Sequence, residues 1–88
     1  RIVVEVPAKI NNQGIHGITL ENYPKGFGNL LNSQVGVIQL TTEAILSKSK
    51  HFAYLALLAD PVVDNAIAAE KLLDNIIEKQ SEFLGYLN

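Results

Sequence analysis

The side chains in this chain that could do chemistry are few and scattered: His16, His51, Glu5, Glu43, Asp60 and the hydroxyls of Ser33, Ser47, Ser49 and Ser81. His16 follows a turn and sits in an extended stretch, where it could meet a substrate at the mouth of a strand. A partly exposed histidine satisfied by backbone is the commoner outcome at such a place. His51 opens an apolar run, the position of a structural residue at a helix start. The two histidines share no metal-ligand spacing, and no cysteine exists to join them. Glu5 lies among valines and would be a proton acceptor only if its face were buried. The competing arrangement pairs it with Arg1 or Lys9 at a sheet edge. Glu43 is mid-helix, placed to cap a neighbouring loop or to pair across an interface, and Asp60 before Pro61 is placed to close a turn with its side chain. Gly26-Phe27-Gly28 lacks the third glycine of a dinucleotide loop and follows no strand of a βαβ unit. The serines lie in no nucleophile-elbow context. No residue here is therefore assigned a catalytic, cofactor-binding or metal-ligating role.

The elements that carry these residues read as α+β. Residues 2–10 alternate as a strand, with Ile2, Val4 and Val6 on one face and Val3 and Glu5 on the other. Pro7 lacks a ladder donor, which makes its position an edge, a bulge or an end. Asn11-Asn12-Gln13-Gly14 is hairpin-turn chemistry, and residues 15–20 form the return strand. Residues 22–28, punctuated by Pro24, Gly26 and Gly28, read as a loop. Residues 30–47 turn helical, with Leu31, Val35, Ile38 and Ile45 recurring on one face and Leu30, Val37 and Ala44 beside them. That stretch is rich in valine, isoleucine and threonine and contains Gly36, so burial rather than propensity must hold it. It is expected to be central, with Gly36 marking a break or a close backbone approach.

After the polar break Lys48-Ser49-Lys50, residues 51–59 are apolar almost all round, which predicts a short buried helix ended by Pro61. Asp64 is the expected N-cap of a last helix running to about Leu84 and stopping at Gly85. Ala69, Leu73, Ile76, Phe83 and Leu87 line one side of it. The expected product is an N-terminal β-hairpin packed on a cluster of about three helices.

Composition sets the outer limits. Eighty-eight residues make one small domain at most, and a domain of this size buries only about 60–65% of its unfolded surface. Without cysteine, disulfides cannot help it. A hydrophobic fraction of 48% is high for so short a chain and points to apolar surface covered by something else. The net charge of −2, with acids and bases interspersed, gives no basic stripe for nucleic acid or anionic lipid. No apolar stretch reaches the roughly 18–20 residues of a membrane span, and no signal peptide is legible, so a cytoplasmic setting is the default. Methionine is absent and the chain opens at Arg1 directly into Ile2-Val3-Val4, which suggests a piece of a longer polypeptide. Isolated, such a piece is expected to self-associate.

Four segments in fixed order narrow the choice: Val3-Val4-Glu5-Val6-Pro7, Asn12-Gln13-Gly14-Ile15-His16, Leu40-Thr41-Thr42-Glu43-Ala44-Ile45-Leu46 and Leu57-Leu58-Ala59-Asp60-Pro61. Together they resemble the C-terminal region of glycoside hydrolase family 4, the NAD- and manganese-dependent glycosidases. Ala69-Glu70-Lys71-Leu72-Leu73-Asp74 is similar to that family's final helix. Gly17 stands where many members have proline, and Thr42 where valine is usual.

The resemblance implies a parent enzyme that is an exception to the two-carboxylate scheme of most glycosidases. Hydride moves between the sugar's C3 and NAD, manganese held by a cysteine and a histidine polarises the ketone, and the aglycone leaves by elimination. It places the cofactor loop and the metal ligands upstream of this chain, so no such residue carries over. It further implies part of a domain resembling the C-terminal domain of lactate and malate dehydrogenases, supporting the sugar pocket and contacts in a homo-oligomer. The chain alone is expected to be inactive, binding neither NAD nor manganese, with the remainder of the parent as its partner. An α-glucosidase- or α-galactosidase-like parent is the first expectation, and a 6-phospho-glucosidase the second. The rival from another class is an independent helical interaction module, its helices offering an amphipathic groove.

Overall fold

A computed structural model describes residues 5–88 of the chain. The described residues form an α+β arrangement. A two-stranded antiparallel hairpin, β1 (Ala8–Asn11) and β2 (Gly14–Gly17), precedes α1 (Lys25–Ser47), α2 (Lys50–Ala59), α3 (Ala66–Lys79) and α4 (Ser81–Leu84). The chain divides into two compact units, one ending at Asn32 and one beginning at Ser33.

In the first unit, β1 and β2 pair in the register Ala8↔Gly17, Lys9↔His16, Ile10↔Ile15 and Asn11↔Gly14. The chain reverses through Asn12 and Gln13. The Asn11 side-chain oxygen accepts from the Gln13 amide at 2.8 Å, and Gly14 supplies the positive φ of 120° that the reversal needs. The pairing reaches one step further, since the Ile18 amide donates to the Pro7 carbonyl at 2.8 Å. Pro7 thus sits just outside the ladder, where its missing donor costs nothing. The strands are shorter than the alternation predicts. Residues 5–7 are not strand, β2 ends at Gly17, and the expected positions 2–4 lie outside the described residues.

The first helix begins earlier than the sequence suggests, taking in Gly26 and Gly28 from what reads as a loop. Pro24 explains it. Its fixed φ suits a helix start, and its carbonyl accepts the Gly28 amide at 3.0 Å. The helix then passes Gly36 without a break, and no atom lies within 4 Å of where a Cβ would be, so no backbone approaches there. The helix-poor hydroxyl residues satisfy themselves on the preceding turn. Thr41 donates to Val37 O at 2.8 Å, Thr42 to Ile38 O at 2.9 Å and Ser47 to Glu43 O at 2.6 Å.

The junction after α1 serves both neighbours. Lys48 takes the left-handed conformation (φ 54°), its amide donates to Ile45 O, and the Ser49 amide reaches back to Ala44 O at 2.9 Å. This is a Schellman stop built on lysine instead of glycine. Ser49 then caps α2, its hydroxyl oxygen accepting from the Phe52 amide. Asn88 closes the junction from the far end of the chain, its amide donating to Lys48 O at 3.1 Å and its carbonyl accepting from Lys50 N at 2.8 Å.

The helix after the Asp60–Asp64 turn is capped by Asn65, not Asp64. The Asn65 side-chain oxygen accepts from the Ala68 amide at 2.9 Å, the three-residue spacing an N-cap needs. The expected single helix to Leu84 is also broken. Gln80 (φ −109°, ψ 30°) leaves the helical region and ends α3, and α4 restarts with a new phase. Phe83 therefore points outward, 67% exposed, whereas Leu84 and Leu87 are half-buried. Gly85 does end α4, with an ordinary right-handed backbone.

The core lies in the second unit, where α2 packs on α3 and α3 on α4. Among the described residues the buried side chains are Ala44, Ala56, Ala69 and Leu73. Two expectations give way here. α1 is not central to this chain: Ile38 is 63% exposed and Ile45 55%. The stripe turned inward is the adjacent one through Val37 and Ala44. Nor is α2 fully buried, because only Ala56 is hidden and most of its other apolar side chains are half-covered. The cause is the same for both. Four helices in so short a chain cannot cover one another on every side, so faces that a sequence pattern marks as apolar remain uncovered.

Two stability outcomes follow. Asn65→Ala costs about 1 kcal/mol in urea unfolding, whereas Asp64→Ala is close to neutral. Lys48→Gly raises stability by about 1 kcal/mol, since glycine takes the left-handed position without the Cβ penalty.

Candidate functional site

The residues with chemical potential are positioned separately. His16 is exposed on β2 opposite Lys9. His51 is exposed in the first turn of α2, its ring tilted by 56° against that of Phe52 at 6.2 Å between centroids. Glu5 precedes β1 and is exposed, so it is not a buried base. Glu43 is exposed on α1, and its backbone carbonyl takes the Ser47 hydroxyl. Asp60 closes the turn after α2 as its sequence context predicts, its carboxylate accepting from the Val62 amide at 3.1 Å and its carbonyl from Val63 N at 3.0 Å. Ser49 is a helix cap, Ser47 bonds the preceding turn, and Gly26 and Gly28 are helical. Asp60, Ser47 and Ser49 are thus engaged in local structure.

Among the described residues no group of three His, Asp or Glu side chains converges to hold a metal ion. Gly26 and Gly28 lie within α1 and form no turn that could cradle a dinucleotide.

Among the described residues, two concave surfaces lie on the second unit. The smaller, about 230 Å³, is bordered by Lys50, His51, Tyr54, Glu70, Leu73 and Asn88. Lys50 is already engaged there in an ion pair with Asp74 of α3, half-exposed on both sides. The Tyr54 hydroxyl donates to Ala66 O at 3.4 Å, tying α2 to the start of α3. The larger, about 340 Å³, is apolar. Val37, Ala44 and Ile45 of α1, Leu57 of α2, and Leu73 and Ile76 of α3 wall it. Leu84, Tyr86 and Leu87 close one side. The sequence suggests an amphipathic groove between these helices and places Leu73, Ile76 and Leu87 on its side, but Leu84 joins them only through the break at Gln80. No helix among the described residues is long and apolar enough to cross a membrane.

The larger surface offers apolar contact, and the ion pair at the smaller one ties α2 to α3. Asp74→Asn is expected to cost less than about 1 kcal/mol, and that difference should shrink further in 1 M salt, because a solvent-exposed pair is screened. Urea titrations at two salt concentrations measure it.

Comparison with known proteins gives the chain its context. The sequence profile of the family 4 glycosyl hydrolase C-terminal domain matches residues 1–63. The chain is 42% identical over 86 residues to an alpha-glucosidase of Erwinia rhapontici, covering 98% of this chain and 19% of that protein. It is 33% identical over 81 residues to a maltose-6'-phosphate glucosidase of Bacillus subtilis, covering 92% of this chain and 18% of the relative. It is 31% identical over 81 residues to a 6-phospho-alpha-glucosidase of Leptotrichia buccalis, again 92% of this chain and 18% of the relative. The chain thus spans about a fifth of the length of the curated relatives it matches. No solved structure matches it.

Proposed function

The chain belongs to the family 4 glycosyl hydrolase C-terminal domain family, and on that premise we propose that it is the C-terminal scaffold of a longer, cytoplasmic α-glucosidase. What supports the reading is the 42% identity to the Erwinia rhapontici alpha-glucosidase along 98% of the chain. In this reading the reactive groups, the nicotinamide cofactor and the manganese ion all belong to the polypeptide outside residues 1–88. The contribution of these residues is mechanical. They fold a hairpin and a helical unit whose uncovered apolar side chains are completed by the remainder of the enzyme and by further copies of it.

The uncovered surface supports that role. Ile10 and Ile15 face each other across the hairpin at 78% and 75% exposure, and Leu46, Ile67 and Phe83 are similarly open in the helical unit. A two-stranded hairpin is marginal in water without a third strand or a helix over it. Burying apolar area is worth roughly 25 cal/mol per Å², so covering these side chains is a strong drive to association.

A second reading keeps the family and changes the substrate. The relatives from Bacillus subtilis and Leptotrichia buccalis are named for phosphorylated α-glucosides, at 33% and 31% identity. We favour the unphosphorylated substrate because the higher identity lies with the alpha-glucosidase. We set aside the independent interaction module because the family match supports a part of a glycosidase.

The isolated 88 residues are expected to bind no NAD, to leave nitrophenyl α-glucoside untouched, and to elute with light-scattering masses above that of a monomer. The longer polypeptide carrying them, supplied with NAD and manganese, is expected to hydrolyse nitrophenyl α-glucoside with kcat/KM at least about tenfold above that for its 6-phosphate, a difference of about 1.4 kcal/mol in transition-state stabilisation. The reverse preference would move the assignment to the phospho-glucosidases, and turnover by the 88 residues alone would overturn the scaffold reading.

A further inference from the structure

His16 stands directly across the hairpin from Lys9, and both side chains are exposed. Side chains alternate along a strand, so these two share one face while the Ile10–Ile15 pair occupies the other. Directly opposed residues of an antiparallel pair have Cβ atoms about 5 Å apart. The register continues on both sides of them, to Asn11 and Gly14 at the turn and to the Ile18 amide, which donates to Pro7 O at 2.8 Å. A closed hairpin therefore holds the lysine beside the histidine.

No carboxylate offsets this pair. β1 is the strand that packs on β2, Lys9 is its charged residue, and β2 carries no titratable side chain besides His16. Glu5, Glu21 and Lys25 lie beyond the ends of the ladder. Among the described residues neither Lys9 nor His16 has an ion-pair partner. Histidine is the side chain whose charge ordinarily changes between about pH 5 and pH 8. Neutral His16 leaves the Lys9 charge unopposed. Protonated His16 sets two like charges face to face, which destabilises a strand pair. The effect is modest, but so is the element it acts on, because a two-stranded hairpin is marginal in water. We propose that β1–β2 is a pH-responsive hairpin, closed while His16 is neutral and opened toward acid pH by repulsion between His16 and Lys9. Opening also separates Ile10 from Ile15 and so dissolves the apolar face of the hairpin. This goes beyond the scaffold reading and does not rest on it.

The test follows the full chain by NMR from about pH 8 to about pH 5, in roughly 10 mM salt, where charges act over about 30 Å. The cross-strand contact between the Ile10 and Ile15 α-protons reports the closed hairpin, and the α-proton shifts of Lys9 and Ile15 give the closed fraction. The closed-to-open ratio is expected to fall roughly two- to fivefold on acidification. Lys9→Gln and His16→Gln are each expected to abolish the fall. Lys9→Glu is expected to turn it into a rise, because protonated His16 then faces a carboxylate. The Leu73 amide in α3 is read alongside and is expected to keep its protection from exchange throughout. A fall of the same size in Lys9→Gln, no fall in the unsubstituted chain, or no Ile10–Ile15 contact at the alkaline end would each overturn the proposal. So would loss of Leu73 protection over the same range, which would assign the change to general acid unfolding.

Discussion

The packing of small side chains where helices meet is the constraint on which this structure rests. Ala44, Ala56, Ala69 and Leu73 are what the described chain hides from water. Alanine allows close approach of helices but contributes little buried area, and apolar burial is the dominant favourable term in folding. The chain is 48% hydrophobic, and its described residues leave most of that apolar surface uncovered. The exposed isoleucines of the hairpin and of α1 and the open apolar cleft are all consequences of that shortage.

Around this thin core, hydrogen bonds do much of the positioning. The segment from Ser47 to Lys50 ends one helix and starts the next without a spare residue, and Asn88 seals it with a backbone pair. Ser49 contributes twice, its amide to the end of α1 and its hydroxyl to the start of α2. Such junctions fix where helices begin and end even when burial is weak, because each leaves fewer unpaired backbone groups. The ion pair between Lys50 and Asp74 and the Tyr54 hydroxyl bond add geometric ties between α2 and α3 with little energy in them.

Several polar side chains are engaged in this local work. Asp60, Ser47, Ser49, Thr41 and Asn65 each satisfy a nearby backbone group. The part of this glycosyl hydrolase family represented here uses these side chains in its architecture.

The sequence by itself determined the features that depend on near neighbours. The turn at Asn11 to Gly14, the helical run through Ala44, the stop before Pro61, the inward pair Ala69 and Leu73, and the structural role of Asp60 are all written in spacing and residue type. So was the family, through short segments in fixed order. What only the tertiary structure decided was anything set by a balance between competing local choices or by distant contacts. Pro24 drew two glycines into α1, and Asn65 outcompeted the adjacent Asp64 as a cap because only its side chain lies three residues from Ala68 in a helical frame. The break at Gln80 rotated Phe83 outward and brought Leu84 beside the expected Leu87 at the cleft. Periodicity names an apolar face but not its partner: the Ile38–Ile45 stripe has the stronger pattern, yet the chain turned Val37 and Ala44 inward. The reason is that burial is a property of the surface that arrives from elsewhere in the fold, and a helix cannot specify that surface from its own residues.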